Sequence, residues 1–219
     1  MAAEEHLDAR RIPIANLYHL LCYAWDQLEM DALIGVDSDD HPGFVELLTH
    51  VLTRGCVHLA KQGLHHDYVA QTAALRTLRG KLELGPSLAT ASLPRGIAVC
   101  THDEFTADIL ANQLLKATLI RSARLPGLPA DLALAARQVA QRMPGVSLIE
   151  PRLADLNRVT IHRNNRFYGF LLSICRLLLE STSVRETGDS LESAQQRCYG
   201  VIEDRLPTLF EAFVSNFYK

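Results

Sequence analysis

The sequence predicts an α+β protein, mainly helical, with a small antiparallel β-lobe inserted between the N-terminal helices and the later helices. Two observations carry that prediction. Apolar residues recur at i, i+3, i+4 and i+7 over most of the chain, the period of a helix with one buried face. Between about residues 64 and 105 the pattern changes to short alternating runs separated by Gly or Pro, which is strand and turn chemistry.

The elements follow in order. Pro13 suits the first turn of a helix, where its missing N–H leaves no bond unmade. Ile14, Leu17, Leu21, Ala24 and Leu28 then keep helical spacing, with Trp25 beside them. Tyr18, Tyr23 and Trp25 could offer a stacking platform for a base, but their spacing follows the core stripe or its flank and favours packing. Gly35 to Asp40 mark a loop. A second helix carries Phe44, Leu47, Leu48, Val51, Leu52, Cys56 and Leu59 on one face until Gly63 stops it. The lobe holds "HHDYVAQTAAL", "LRTLRGKLEL" and "GIAVCTHDEF". In its middle run Leu78, Gly80, Leu82 and Leu84 should face inward and Arg79, Lys81 and Glu83 outward, a half-buried strand with a charged face.

Helices resume from about Asp108 to Arg121, and again from Ala130 to Arg142 ahead of Met143-Pro144-Gly145. A third runs from Phe167 to Glu180, with Phe167, Phe170, Leu171, Ile174, Cys175 and Leu178 facing inward. Residues 181–200 have few large apolar side chains and read as a surface loop or linker. The closing segment "LPTLFEAFVSNFYK" places Leu206, Leu209, Phe210, Phe213, Val214 and Phe217 on one wide helical stripe. Such a stripe must be covered, and folding back onto the rest of the chain is the expected outcome; the alternative is pairing with another chain.

Bulk composition narrows the function classes. An apolar fraction of 48% and a charged fraction of 21% are those of an ordinary globular protein, and 219 residues suffice for a substantial core. The net charge of −3 carries no global nucleic-acid signal. Five scattered cysteines without a C-x-x-C pair fit reduced thiols. The opening MAAEEHLDARR is polar and charged, unlike a signal peptide, and no apolar run approaches a membrane span. A cytoplasmic protein is expected.

Most catalytic motifs are absent. The chain has no phosphate-binding G-x-x-x-x-G-K-[ST], no G-x-G-x-x-G, no G-x-S-x-G and no H-E-x-x-H. It has no Glu-x-Lys or Asp-x-Lys triplet of the kind that holds Mg²⁺ and activates water; Lys81 and Glu83 stand in the reverse order. His65-His66-Asp67 and Cys100-x-His102-Asp103-Glu104 are the clusters that resemble metal ligands. No second pair at zinc spacing accompanies them, so a buried thiol and polar strand ends are the better reading and no metal is expected. In "RVTIHRNNRFYGF", Arg158, His162, Arg163, Asn164, Asn165 and Arg166 precede a helix. They could grip phosphates or a partner's acidic surface, or form a solvated turn with Asn starting the helix.

Taken in order, "IPIANLYHLLCYAWD", "LTRGCVHLAKQGLHHDY", "LRGKLEL", "HDEFTADILANQLLKATL", "RMPGVS", "RNNRFYGFLLSICRLLL" and "LFEAFVSNFYK" resemble the McrC family from about Ile12 to Lys219. McrC is the non-GTPase subunit of a restriction system that cuts DNA containing 5-methylcytosine. The resemblance implies an McrB-type AAA+ GTPase hexamer as partner, which holds GTP and Mg²⁺ and carries the methylated-DNA recognition. It implies no cofactor in this chain, and DNA contact mainly through the complex. It also implies that residues 1–200 are an N-terminal module that docks into the ring and stimulates GTP hydrolysis. That module comprises helices 13–63, the β-lobe 64–105, helices 106–180 and the linker 181–200. Residues 201–219 would then be the first helix of an otherwise absent nuclease domain, with Glu211 matching its early acidic residue. The lobe is the candidate ring-docking element. Arg79, Lys81, Arg163 and Arg166 are the candidates for stimulating the GTPase, and Arg158, His162, Asn164 and Asn165 those for phosphate or DNA. The alternatives are a DNA-binding module using the Arg158–Arg166 patch, or an endonuclease subunit in which Glu211 joins a composite metal site.

Overall fold

The computed structural model describes residues 16, 19–22, 43–162, 165–182 and 191–217. Most of the first expected helix, with Tyr18, Tyr23 and Trp25, lies outside them; residues 16 and 19–22 are helical, and Leu21 and Cys22 are buried. Helix α1 spans Phe44–Gln62 and buries the predicted stripe from Phe44 to Leu59. The later helices are α3, Leu110–Ser122, α4, Ala130–Gln141, the short α5, Leu153–Leu156, α6, Arg166–Thr182, and α7, Leu191–Phe217. Helices α1, α3, α4, α6 and α7 pack around one core. Each leucine fully buried there contributes about 1.5–3 kcal/mol. The crossing of α1 and α6 depends on Gly55, where an added Cβ would stand 2.4 Å from Leu171 Cδ2. All five cysteines are free and buried. Burial pushes the Cys175 thiol up to about 12 and that of Cys198 to about 11, so both remain unreactive packing groups.

Between α1 and α3 stands the lobe. Strands β1, Asp67–Leu75, β2, Lys81–Leu82, and β3, Ala98–Thr106, form an antiparallel sheet in the order β1-β3-β2. Helix α2, Leu84–Ala89, and a 3₁₀ turn at Leu93–Arg95 complete it. Register runs from Asp67 opposite Thr106 to Leu75 opposite Ala98, with Lys81 opposite Thr101. No described residue from 65 to 106 belongs to the helical core. The lobe has a small interior of its own, in which Ala98, Cys100 and His102, on one face of β3, are buried along with Ser87.

Three expectations change. The middle strand is shorter than its alternation suggested: Leu78 and Leu84 are exposed, and only Lys81 and Leu82 pair. Gly80 explains the upstream end. Its φ is +69°, and an added Cβ would stand 2.3 Å from Thr101 O, so the backbone turns sharply against β3 there. Downstream, Leu84 already opens α2. The expected linker 181–200 is helix from Leu191 onward, because Ala194 and Cys198 continue with Ile202 and Leu206 as one buried stripe of α7. Small apolar residues at helical spacing suffice when the neighbouring helix is close. The closing stripe folds back only in part. Leu206 is buried and Leu209 packs on the core, whereas Phe210 and Val214 are exposed; the side chains of Phe213 and Phe217 lie outside the described residues.

Two arginines fasten α7 and α3 to the end of α6. Arg197 Nε donates to Ser181 O at 2.6 Å, and Arg121 donates to Thr182 Oγ1 and to Thr182 O at 3.1 and 2.6 Å. Both satisfy carbonyls that a helix C-terminus leaves unpaired.

Candidate functional site

The lobe is held at its base by a buried polar knot. Asn112, on α3, donates from Nδ2 to His65 O at 2.9 Å and to Ala107 O at 2.7 Å. Its Oδ1 accepts from the Tyr168 hydroxyl of α6 at 2.9 Å, and that hydroxyl accepts from the His65 N–H at 2.8 Å. One asparagine therefore joins the chain entering β1 to the chain leaving β3. Burial holds the Tyr168 phenol above its ordinary range, which keeps its O–H available as a donor. Asn112 is fully buried on a helix whose buried residues also include Thr118 and Ser122, so the sequence alone did not single it out.

A second tie runs beside the first. Asp108 accepts from the Ser147 N–H and hydroxyl at 2.7 and 2.6 Å and from Gln113 Nε2 at 2.8 Å. Lys116 Nζ donates to Met143 O and Val146 O at 3.2 and 2.6 Å. The tight turn after α4 is thus pinned to the start of α3. Burial alone would raise the Asp108 pKa, but the bonds from Ser147 and Gln113 and the charge of Lys116 outweigh it and hold the carboxyl below its ordinary value of 3.8. A depressed folded-state pKa stabilises above the unfolded value, and that contribution disappears as pH falls through the folded one. The thermal midpoint should therefore drop on acidification below about pH 4. Asp108→Asn should melt lower at pH 7 and show a smaller drop on acidification; an unchanged profile would contradict this assignment.

The candidate residues fall in two regions, one on the segment around β2 and one around the start of α6. Arg79 is exposed in the turn before β2, and Lys81 on β2 is exposed and 3.1 Å from Glu83. The bond from Lys81, then that from Thr101, hold the Glu83 carboxyl below its usual range. The distal segment 76–97 carries Arg76, Arg79, Lys81 and Arg95 against the single acid Glu83, and all four cations are exposed. The stems, 64–75 and 98–108, carry Asp67, Asp103, Glu104 and Asp108 with no Lys or Arg. Basic residues thus gather on the segment that joins β1 to β3, and acidic ones on the stems.

Arg158 lies at the base. It pairs with Asp155 at 3.1 Å and lines a groove of about 770 Å³ with Asp67, Asp108, Glu150 and Arg152. Four carboxylates against two guanidinium groups make that groove adverse for phosphate. The His162 N–H donates to Asn165 Oδ1 at 2.5 Å, and Asn165 N–H returns a bond to His162 O at 3.0 Å. Asn165 thus closes the turn that opens α6. Arg166 is exposed at the first position of α6, whereas Arg163 and Asn164 lie outside the described residues. Lys81, opposite Thr101, stands five residues from the end of β3, about 17 Å from the base. Lys81 and the Arg158 turn are therefore not one site. Glu211 is exposed on α7. Cys100 and His102 share a face of β3 as their spacing suggests, and among the described residues no three His, Cys, Asp or Glu side chains are grouped to hold a metal. Nor is any helix there long and apolar enough to cross a membrane.

The likeness to known proteins agrees with this architecture. The chain is 26% identical over 171 residues to the Type IV methyl-directed restriction enzyme EcoKMcrBC of Escherichia coli K12. The match takes in 78% of this chain and 49% of that relative, so the chain spans about half the relative's length. Its fold resembles a chain in the cryo-EM structure of the Thermococcus gammatolerans McrBC complex, with a TM-score of 0.59 and 15% identity over 90% of this chain and 70% of that one. A second likeness, TM-score 0.59 and 18% identity over 89% and 47% of the two chains, is to the half-complex of T. gammatolerans McrB AAA+ hexamers with bound McrC. At those identities the structures attest the fold. The description "McrBC 5-methylcytosine restriction system component" matches residues 10–219, and the chain belongs to that family.

Proposed function

We propose that this chain is the ring-engaging part of an McrC-like subunit in a 5-methylcytosine restriction system. It binds an McrB-type AAA+ GTPase hexamer through the β-lobe and stimulates hydrolysis of GTP, which the ring holds with Mg²⁺. The observation that carries the proposal is the lobe itself: outside the helical core, clamped at its base, with four exposed cations on the segment that joins β1 to β3. A rigid projecting element can enter a central opening without paying to order itself. Cations delivered there can oppose the charge that develops on a transferring phosphoryl group. The chain contains no Asp-x-Lys or Glu-x-Lys triplet, so DNA cleavage is assigned to a nuclease domain that the second half of α7 would lead into. Contact with methylated DNA is assigned to the complex.

The test is to mix the purified chain with its cognate GTPase and follow particle mass and GTP turnover together. A larger complex with faster hydrolysis is expected. Absence of both overturns the proposal.

A further inference from the structure

We propose that the aromatic corner at the lobe's base docks an arginine side chain of the ring-forming partner, a step that rests on the ring-binding reading above. Tyr68 and Phe105 stand directly opposite in the β1–β3 register and on the same face. They are 69% and 59% exposed, with ring centroids 5.2 Å apart. His66 also stacks on Phe105, with ring centroids 5.2 Å apart and an interplanar angle of 25°. Its Nδ1 lies 2.8 Å from Leu64 O, a bond that orients the ring when that nitrogen carries the proton. Three rings held open to solvent at a point where the buried knot keeps the backbone rigid form a preorganised contact surface.

Charge decides the occupant. Of the carboxylates on β1 and β3, Asp103 alone shares the Tyr68–Phe105 face, Asp67 and Glu104 alternating to the other. The β2 cation on that face, Lys81 opposite Thr101, is paired with Glu83. Asp103 lies two residues from Phe105 on the same face of β3, about 7 Å along the strand. Phosphate is repelled there, and a purely apolar guest would strip water from the carboxylate without replacing its bonds. A guanidinium meets both demands, because it stacks on an aromatic face and donates to a carboxylate in one geometry. A hollow of about 400 Å³ beside Phe105, walled by Leu64, His66 and Phe167, accepts the alkyl stem.

The experiment has two arms. In the first, the chain alone is titrated by NMR with a tetra-arginine peptide and with its citrulline counterpart, which keeps shape and loses charge. Shifts at the Tyr68 and Phe105 rings with arginine and not with citrulline are expected; equal shifts, or none, overturn the inference whether or not the ring binds. In the second, affinity for the GTPase ring is compared for the native chain, Phe105→Leu, Phe105→Ala and Asp103→Asn. Both Phe105 variants should weaken binding about tenfold, and Asp103→Asn should also flatten its salt dependence. Native affinity in Phe105→Leu would show a merely apolar contact and overturn the inference, as would tightened binding of single-stranded DNA by the native corner. Loss of ring binding by the native chain itself would instead count against the proposed function.

Discussion

Replacing Asn112 with alanine is expected to lower the unfolding free energy by about 3 kcal/mol. The side chain satisfies His65 O, Ala107 O and the Tyr168 hydroxyl at once. Alanine removes all three bonds and leaves their partners where water enters poorly. Each buried group deprived of its partner costs about 1–3 kcal/mol, and partial relaxation keeps the sum below the full total. Urea denaturation should show a lower midpoint. Hydrogen exchange should show the ends of β1 and β3 losing protection ahead of α1 and α6, because the knot binds the lobe rather than the bundle. Tyr168→Phe removes one hydroxyl and should cost about 1–2 kcal/mol. An Asn112→Ala protein as stable as the native one would show that the knot contributes nothing.

The second large effect concerns turnover rather than stability. With the GTPase ring present, Arg79→Ala is expected to reduce stimulated hydrolysis by about a hundredfold while affinity for the ring changes only a few-fold. A cation that acts on the developing phosphoryl charge contributes in the transition state and little in the ground state. Arg79 is exposed in the turn before β2, whereas Lys81 is drawn to Glu83 at 3.1 Å, so Lys81→Ala should have the smaller effect. Arg166→Ala, changed outside the lobe at the start of α6, provides the comparison. Unaltered stimulation by Arg79→Ala would remove this residue from the mechanism. Equal losses in rate and affinity would mean that it only docks.

How far the sequence could be read depended on whether the signal was local. The stripes of α1 and α6 were legible because one long face of each helix meets apolar neighbours along its whole length. The three strands were legible as alternation bounded by Gly and Pro, although Leu78 and Leu84 misled. Their alternation implied a longer central strand, whereas the Gly80 turn and the start of α2 leave both exposed. Residues 191–200 misled in the other direction. Ala194 and Cys198 are too small to announce a buried helix, yet both are fully buried. The basic residues of the candidate sites could be listed from the sequence, but the distance of Lys81 from the Arg158 turn could not, since it depends on which strands pair and in what register.

The sequence by itself determined the class of the fold, the order of its elements and the family, because periodicity and segment order are written along the chain. Only the tertiary structure decided that Asn112 ties both ends of the lobe together, that Arg158 faces carboxylates, and that Tyr68 and Phe105 stand side by side in the open. Those facts join residues tens of positions apart. Burial, charge compensation and aromatic contact act through space, and the chain's order encodes them only once it has folded.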